Sequence, residues 1–288
     1  MFMNLLWAVV VSTALGGLAL SNPPKEIPKK PALDVPYEPT SYGIAKEMLN
    51  MAGVTSEDLI YDLGCGDGRI VIMAARECGA RGVGVDLDPE RIRESSENAR
   101  TAGVTHLASF FEQNLFDTDI RKATVVMLYL YPEVNLKLRP KLLRELKPGT
   151  RIVSHSHTMG DWADDATQRV EGHDLHLFVI PANVTGIWRW VEPEGRLASL
   201  SLTQKFQRVK GFMTIGAETY PITEFSLRGE IIIFRVERPG KGIKEFFSYE
   251  GQIAGDTIQG KIMPGGTGHG TTRWEATRDP ATMIPIAE

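Results

Sequence analysis

Two carboxylates, Asp62 and Asp86, stand on either side of a glycine cluster in an arrangement suited to holding a nucleoside. The first lies in Asp62-Leu63-Gly64-Cys65-Gly66-Asp67-Gly68 and the second closes Gly84-Val85-Asp86. Glycines carry no Cβ, so a turn built from them lets backbone N–H groups approach a ligand directly. An acid at the end of the following strand can accept both hydroxyls of a ribose. An acid inside the turn itself suits a ligand that also carries an ammonium group. Leu63, Cys65 and Leu87 neighbour these groups and belong to the same candidate site. Cys65 is a weak candidate nucleophile, because no activating base is placed beside it.

The elements around the cluster fit this use. Residues 58–61 form a short apolar run that reads as a buried parallel strand. Residues 69–78 read as a helix with Ile70, Val71, Ala74 and Ala75 on one side and Gly79 at its C-cap. Residues 81–85 form a second buried strand that delivers Asp86 to the sheet edge beside the turn. A nicotinamide site would use Gly-x-Gly-x-x-Gly, whereas the spacing here is Gly64-x-Gly66-x-Gly68 with Asp62 in front. That run resembles motif I of the class I methyltransferases, which implies S-adenosylmethionine as cofactor.

The likeness extends further along the chain. Val35-Pro36-Tyr37-Glu38-Pro39-Thr40, the block from Tyr61 to Asp88, the run from Leu128-Tyr129-Leu130-Tyr131-Pro132 to Pro140, Ser154-His155 and Met159-Gly160-Asp161-Trp162 form a set. Together they resemble bacterial relatives of the mitochondrial lysine methyltransferases that act on the membrane-embedded c-subunit of ATP synthase. The resemblance covers about residues 34–190. It implies a protein lysine as substrate, with a membrane protein as one option; a small-molecule or lipid methyltransferase of the same fold is the rival reading. It also implies that Asn114, with Leu115 beside it, meets the adenine amine, although relatives more often carry Asp there. Tyr129 and Pro132 belong to the family pattern, and Tyr131 stands where leucine is expected.

Methyl transfer from a sulfonium is an in-line displacement, so the protein mainly aligns a lone pair with the methyl carbon and excludes water. Tyr129 and Tyr131, just after the fourth strand, could hold the aliphatic stem of a lysine or favour a methylammonium through cation–π contact. Tyr37 and Thr40 precede the first helix and could fold over the cofactor, or Thr40 could simply cap that helix. His155 could accept a proton or orient the substrate. His155 and His157 could share a metal if the backbone between them is extended, but no third ligand is apparent and no metal is expected. The bland alternatives are a turn role for Asn114 and core roles for Tyr129 and Trp162.

The net charge of −4 argues against broad nucleic-acid binding. The basic run Lys137, Arg139, Lys141, Arg144, Lys147 and Arg151 reads first as a solvated helix face over Leu138, Leu142 and Leu146. Two cysteines give no disulfide framework. Residues 1–20 carry no charged side chain, and Lys25, Lys29 and Lys30 follow. Such a stretch can span a bilayer, so residues 1–21 read as a membrane anchor holding the catalytic domain in the cytoplasm, or as a signal peptide leading to export.

Residues 22–36 read as a linker rich in Pro and Lys, residues 37–192 as the methyltransferase domain and residues 193–288 as a β-rich module. Alternating strands and helices imply an α/β, Rossmann-like doubly wound sheet of seven strands, closed by a hairpin between residues 176–180 and 186–191. Runs at 197–206, 212–215, 230–236, 245–249 and 273–276, separated by turn signals, imply a small antiparallel sandwich or barrel. Its role is open, and a non-catalytic scaffold that assembles through it is the rival from a different class.

Overall fold

A computed structural model of the chain describes residues 37–286 apart from 193, 240–243 and 266–269. The uncharged N-terminal stretch, the Pro- and Lys-rich linker and the turn around residue 241 therefore lie outside the described residues. Among the described residues, no helix is long and apolar enough to cross a membrane.

Helix α1 (Tyr42–Ala52) turns Ile44, Ala45, Met48, Leu49 and Ala52 inward, the spacing of one helical face. Its N-cap is Ser41, whose hydroxyl accepts the Ile44 N–H at 3.1 Å, and Gly53 closes it in the left-handed region. The next elements are β1 (Leu59–Leu63), α2 (Arg69–Met73) with a π-helical turn at Ala74–Cys78, β2 (Arg81–Asp86) and α3 (Pro89–Thr101). Asp88 caps α3 by accepting the Glu90 N–H, with Pro89 at the first helical position. There follow β3 (Ala108–Glu112), β4 (Val125–Leu128), α4 (Pro132–Glu145), β5 (Arg151–His155), β6 (Ala166–Val170) and β7 (His173–Val179).

These seven strands form one sheet in the order β3-β2-β1-β4-β5-β7-β6, with β7 antiparallel to both neighbours. Alternate residues of β1 serve opposite faces. Ile60 joins Val125, Met127 and Val153 under α1, while Leu63 joins Leu128, Ile152 and Leu138 on the other side. Register aligns the strand ends: Leu63 pairs with both Val85 and Leu128, and Leu128 pairs with Ser154. One residue beyond each pairing come Gly64, Asp86, Tyr129 and His155, all at the carboxyl edge of the sheet, where open α/β sheets bind ligands.

The closing hairpin differs from expectation. β7 pairs with the preceding β6, while β8 (Gly186–Val191) leaves the sheet. β6 reads Ala-Thr-Gln-Arg-Val and is largely exposed, so an edge strand with no apolar face gave no signal in the sequence. β8 buries Trp188 and Trp190 while Arg189 and Val191 point out, which needs a one-sided core.

That core is a closed antiparallel barrel. After β8 come β9 (Leu197–Lys205), β10 (Arg208–Ile215), β11 (Glu218–Arg228), β12 (Ile231–Pro239), β13 (Lys244–Ala254), β14 (Thr257–Pro264) and β15 (Thr272–Arg278). They close in the order β10-β11-β12-β13-β14-β15-β8-β9. Aromatic rings fill the interior: Phe234 stacks on Tyr249 at 4.7 Å, and Trp274 meets both edge-on. The β9–β10 turn reaches back to the sheet. Its Phe206 lies against Trp162, ring centroids 5.7 Å apart, and the Gln207 amide donates to the Ala163 carbonyl. The backbone junction, where the Ala182 N–H donates to the Gly229 carbonyl, follows the end of β7. Because β7 runs against β5, this junction lies at the edge of the sheet away from the glycine turn.

Candidate active site

The glycine turn folds under β2. Gly64 and Cys65 both donate to the Val85 carbonyl, and Gly66 donates its N–H to Asp86 Oδ2 at 3.0 Å. The second Asp86 oxygen accepts the Asp88 N–H at 2.9 Å. The Asp86 carboxylate is thus fixed in orientation at the strand end. Gly64 and Gly66 have φ of 92° and 51°, a region that L side chains rarely adopt. A Cβ on Gly66 would also strike the Tyr37 ring.

Tyr37 lies over the turn because residues 37–40 form a strap across the cleft. Its ring sits beneath the Arg91 guanidinium at 4.7 Å. At the other end of the strap the Thr40 carbonyl accepts from Arg69, itself paired with Asp67 at 2.6 Å. Ser41 caps α1, which leaves the Thr40 hydroxyl available to meet His155 Nδ1 at 3.2 Å. The helix-cap alternative for Thr40 is therefore replaced by a contact with β5.

A cleft opens between the strap and the sheet edge. Tyr37, Thr40, Asp62, Gly64, Cys65 and Gly66 line it, as do Asp86, Leu87, Leu115 and Tyr129. The remaining candidates lie elsewhere. Leu63 is fully buried in the sheet core, because strand alternation turns it away from the edge. Asn114 spends its side-chain oxygen on the Phe116 N–H at 2.9 Å, a turn contact, and Gln113 faces the cleft instead. Pro132 opens α4. Tyr131 is 42% exposed and meets His157 edge-on at 6.2 Å. His155 lies behind Tyr129, the rings stacked with centroids 3.8 Å apart.

Glu38, Arg91 and Gln113 also line the cleft and were not singled out by sequence. The strap's path is a tertiary matter, and no local pattern marks it.

The electrostatics of the cleft fit a cationic ligand. Asp62 is 3% exposed, and burial, followed by the charges of Asp86 and Asp67, raises its pKa to about 8. No cation among the described residues offsets it. A buried acid held this way gains from an ammonium group delivered by a ligand. Burial pushes the Cys65 thiol well above its usual pKa, so it is a packing group rather than a thiolate nucleophile. Burial, with the nearby His173 and His157, lowers His155 to about 4, so the ring is neutral at neutral pH. Its Nε2 is buried without a hydrogen-bond partner.

Ser156 has φ of 64°, so the backbone between His155 and His157 is not extended. Among the described residues, no group of three or more His, Cys, Asp or Glu side chains could hold a metal ion.

Strand order, glycine turn and strand-end acid together define a class I S-adenosylmethionine-dependent methyltransferase. Residues 62–166 match the ANTKMT methyltransferase domain. A protein-lysine N-methyltransferase of Saccharolobus islandicus (strain REY15A) is 46% identical over 151 residues, covering 51% of this chain and 94% of the relative. An ATP synthase c-subunit lysine N-methyltransferase of Xenopus laevis is 29% identical over 163 residues, covering 55% of this chain and 71% of the relative. A crystal structure described as an RNA methyltransferase from Salinibacter ruber in complex with S-adenosyl-L-homocysteine is 49% identical. It covers 51% of this chain and 96% of that one, with a TM-score of 0.50. The chain belongs to this ANTKMT-type family of S-adenosylmethionine-dependent methyltransferases.

The residues present fit the cofactor. Asp86 would face the ribose hydroxyls, Asp62 is a buried acid whose carboxylate form an arriving methionine ammonium would stabilise, and the glycine turn would leave room for close approach. Leu115 and Gln113 border the same cleft.

Proposed function

We propose that the protein transfers methyl groups to the side-chain amine of lysine in a protein substrate. The observation that carries this reading is Tyr129, which lines the cofactor cleft at the end of β4 with a neutral histidine ring stacked behind it. When bound, the cofactor supplies a sulfonium methyl that an amine lone pair attacks as the carbon–sulfur bond breaks. Tyr129 offers an aromatic face against which the aliphatic stem of lysine packs, aligning its amine with the methyl carbon. His155, fixed by Thr40, holds the Tyr129 ring from behind and carries no charge that would repel the incoming amine. The relatives named as lysine methyltransferases support the same substrate class.

RNA is the alternative suggested by the Salinibacter structure's description. The basic run on and after α4 gives it little support, because its charges are largely engaged. Lys141 pairs with Glu145, Arg139 with Asp161, and Arg151 with Asp58. The uncharged stretch at residues 1–21 favours attachment to a membrane with the catalytic domain on the cytoplasmic side, and carbonate washing of membranes tests that placement. The substrate test is incubation of lysate and membranes with radiolabelled cofactor, followed by separation of products. Label on protein lysine supports the reading, and label confined to RNA, lipid or small metabolites overturns it.

A further inference from the structure

The acceptor side of the cleft holds one carboxylate that the reading above leaves unused. Glu38 sits in the middle of the strap, whose two ends are fixed: Tyr37 lies on Gly66, and Thr40 is tied to His155 and Arg69. With both ends held, Glu38 lines the cleft together with Tyr129. Its side chain is exposed, and its charge bears on the Tyr129 phenol in the same cleft. A hydroxyl that donates to a carboxylate keeps its own lone pairs for a further donor. Glu38 and Tyr129 together therefore present an anion and a hydroxyl oxygen at the cleft mouth, both acceptors, with an aromatic face beneath.

We propose that Glu38 is the docking carboxylate for the acceptor's charged amine, and that it fixes the Tyr129 hydroxyl as a second acceptor for the same group. The inference rests on the lysine reading for the identity of the acceptor, but its chemistry requires only a primary alkylammonium. The Tyr129 phenol agrees with this placement: burial, followed by the charge of Glu38, raises its pKa, so the hydroxyl stays protonated and able to donate. Tyr131, exposed and edge-on to His157, does not line the cleft and is no part of the dock.

The test compares Glu38→Gln, which keeps shape and loses charge, with Glu38→Asp, which keeps charge. Calorimetry with n-butylammonium, with and without S-adenosylhomocysteine, uses 1-butanol as the neutral control. The wild type and Glu38→Asp should prefer the ammonium, and Glu38→Gln should lose at least fivefold of that preference while binding S-adenosylhomocysteine within twofold of wild type. With poly-L-lysine as acceptor, Glu38→Gln should raise KM at least tenfold with kcat within threefold. Equal butylammonium binding by wild type and Glu38→Gln, or no preference in wild type, overturns the proposal. If the wild type transfers no methyl to lysine, the substrate reading fails, and the butylammonium measurement still decides the role of Glu38.

Discussion

Cofactor binding should release a proton from Asp62. In the cofactor-free protein the side chain has a pKa of about 8, because it is buried beside Asp86 and Asp67 with no cation to offset it. At pH 7 a group of that pKa is about 90% protonated, and at pH 8 about half. An ammonium group arriving beside it stabilises the carboxylate and returns the pKa toward the ordinary range. Binding at pH 7 should therefore release on the order of 0.9 proton per cofactor, and at pH 8 roughly 0.5. Titration calorimetry with S-adenosylhomocysteine in buffers of different ionisation enthalpy reads this number from the slope of observed enthalpy. Asp62→Asn should abolish the release and weaken binding. A wild-type slope of zero at pH 7, or a slope unchanged in Asp62→Asn, would refute the assignment of Asp62 as the buried partner of the ammonium.

Three further outcomes are expected. Asp86→Ala removes a carboxylate oriented for two ribose hydroxyls and should weaken S-adenosylhomocysteine by about 2–4 kcal/mol in calorimetry. His155 has a folded pKa of about 4, below its ordinary 6.5, so between those values the unfolded chain binds a proton that the native state lacks. Its contribution is complete above pH 6.5 and is lost as pH falls toward 4. Because the ring is buried, urea unfolding should show about 2–3 kcal/mol of this loss, absent in His155→Gln. Phe206→Ala would empty a buried ring site between Trp162 and the Arg139 guanidinium, and should cost about 3–5 kcal/mol of stability by denaturant unfolding. A loss below about 1 kcal/mol would show that the barrel turn is not anchored there.

The sheet was legible because its parallel strands are short continuous apolar runs and its ligand turn is marked by glycines and acids whose spacing is local. The same logic failed at β6, which has no apolar face, and at β8, whose alternating tryptophans were assigned to the sheet although they fill a barrel. β11 and β14 went unseen because exposed polar residues, such as Glu224 and Gln259, interrupt their apolar positions. In the site, Asp62, Gly64, Gly66, Asp86 and Tyr129 could be named from motif and strand ends. Asn114 was named for the cleft, but a turn hydrogen bond claims its side chain. Glu38 stood in the family run without a role and Arg91 lay outside it, because their place depends on a strap held to β5 by Thr40 and to the glycine turn by Tyr37.

A lysine amine aligned at the Tyr129 end of this cofactor cleft is the proposed arrangement. It is tested most directly by mass spectrometry of proteins labelled by wild type and by Tyr129→Ala, with S-adenosylhomocysteine affinity measured on both. The wild type should yield methyl-lysine, and Tyr129→Ala should lose at least tenfold of the transfer against an affinity change below about threefold. Methylation found only outside protein lysine, or Tyr129→Ala transferring methyl groups as well as wild type, would contradict it.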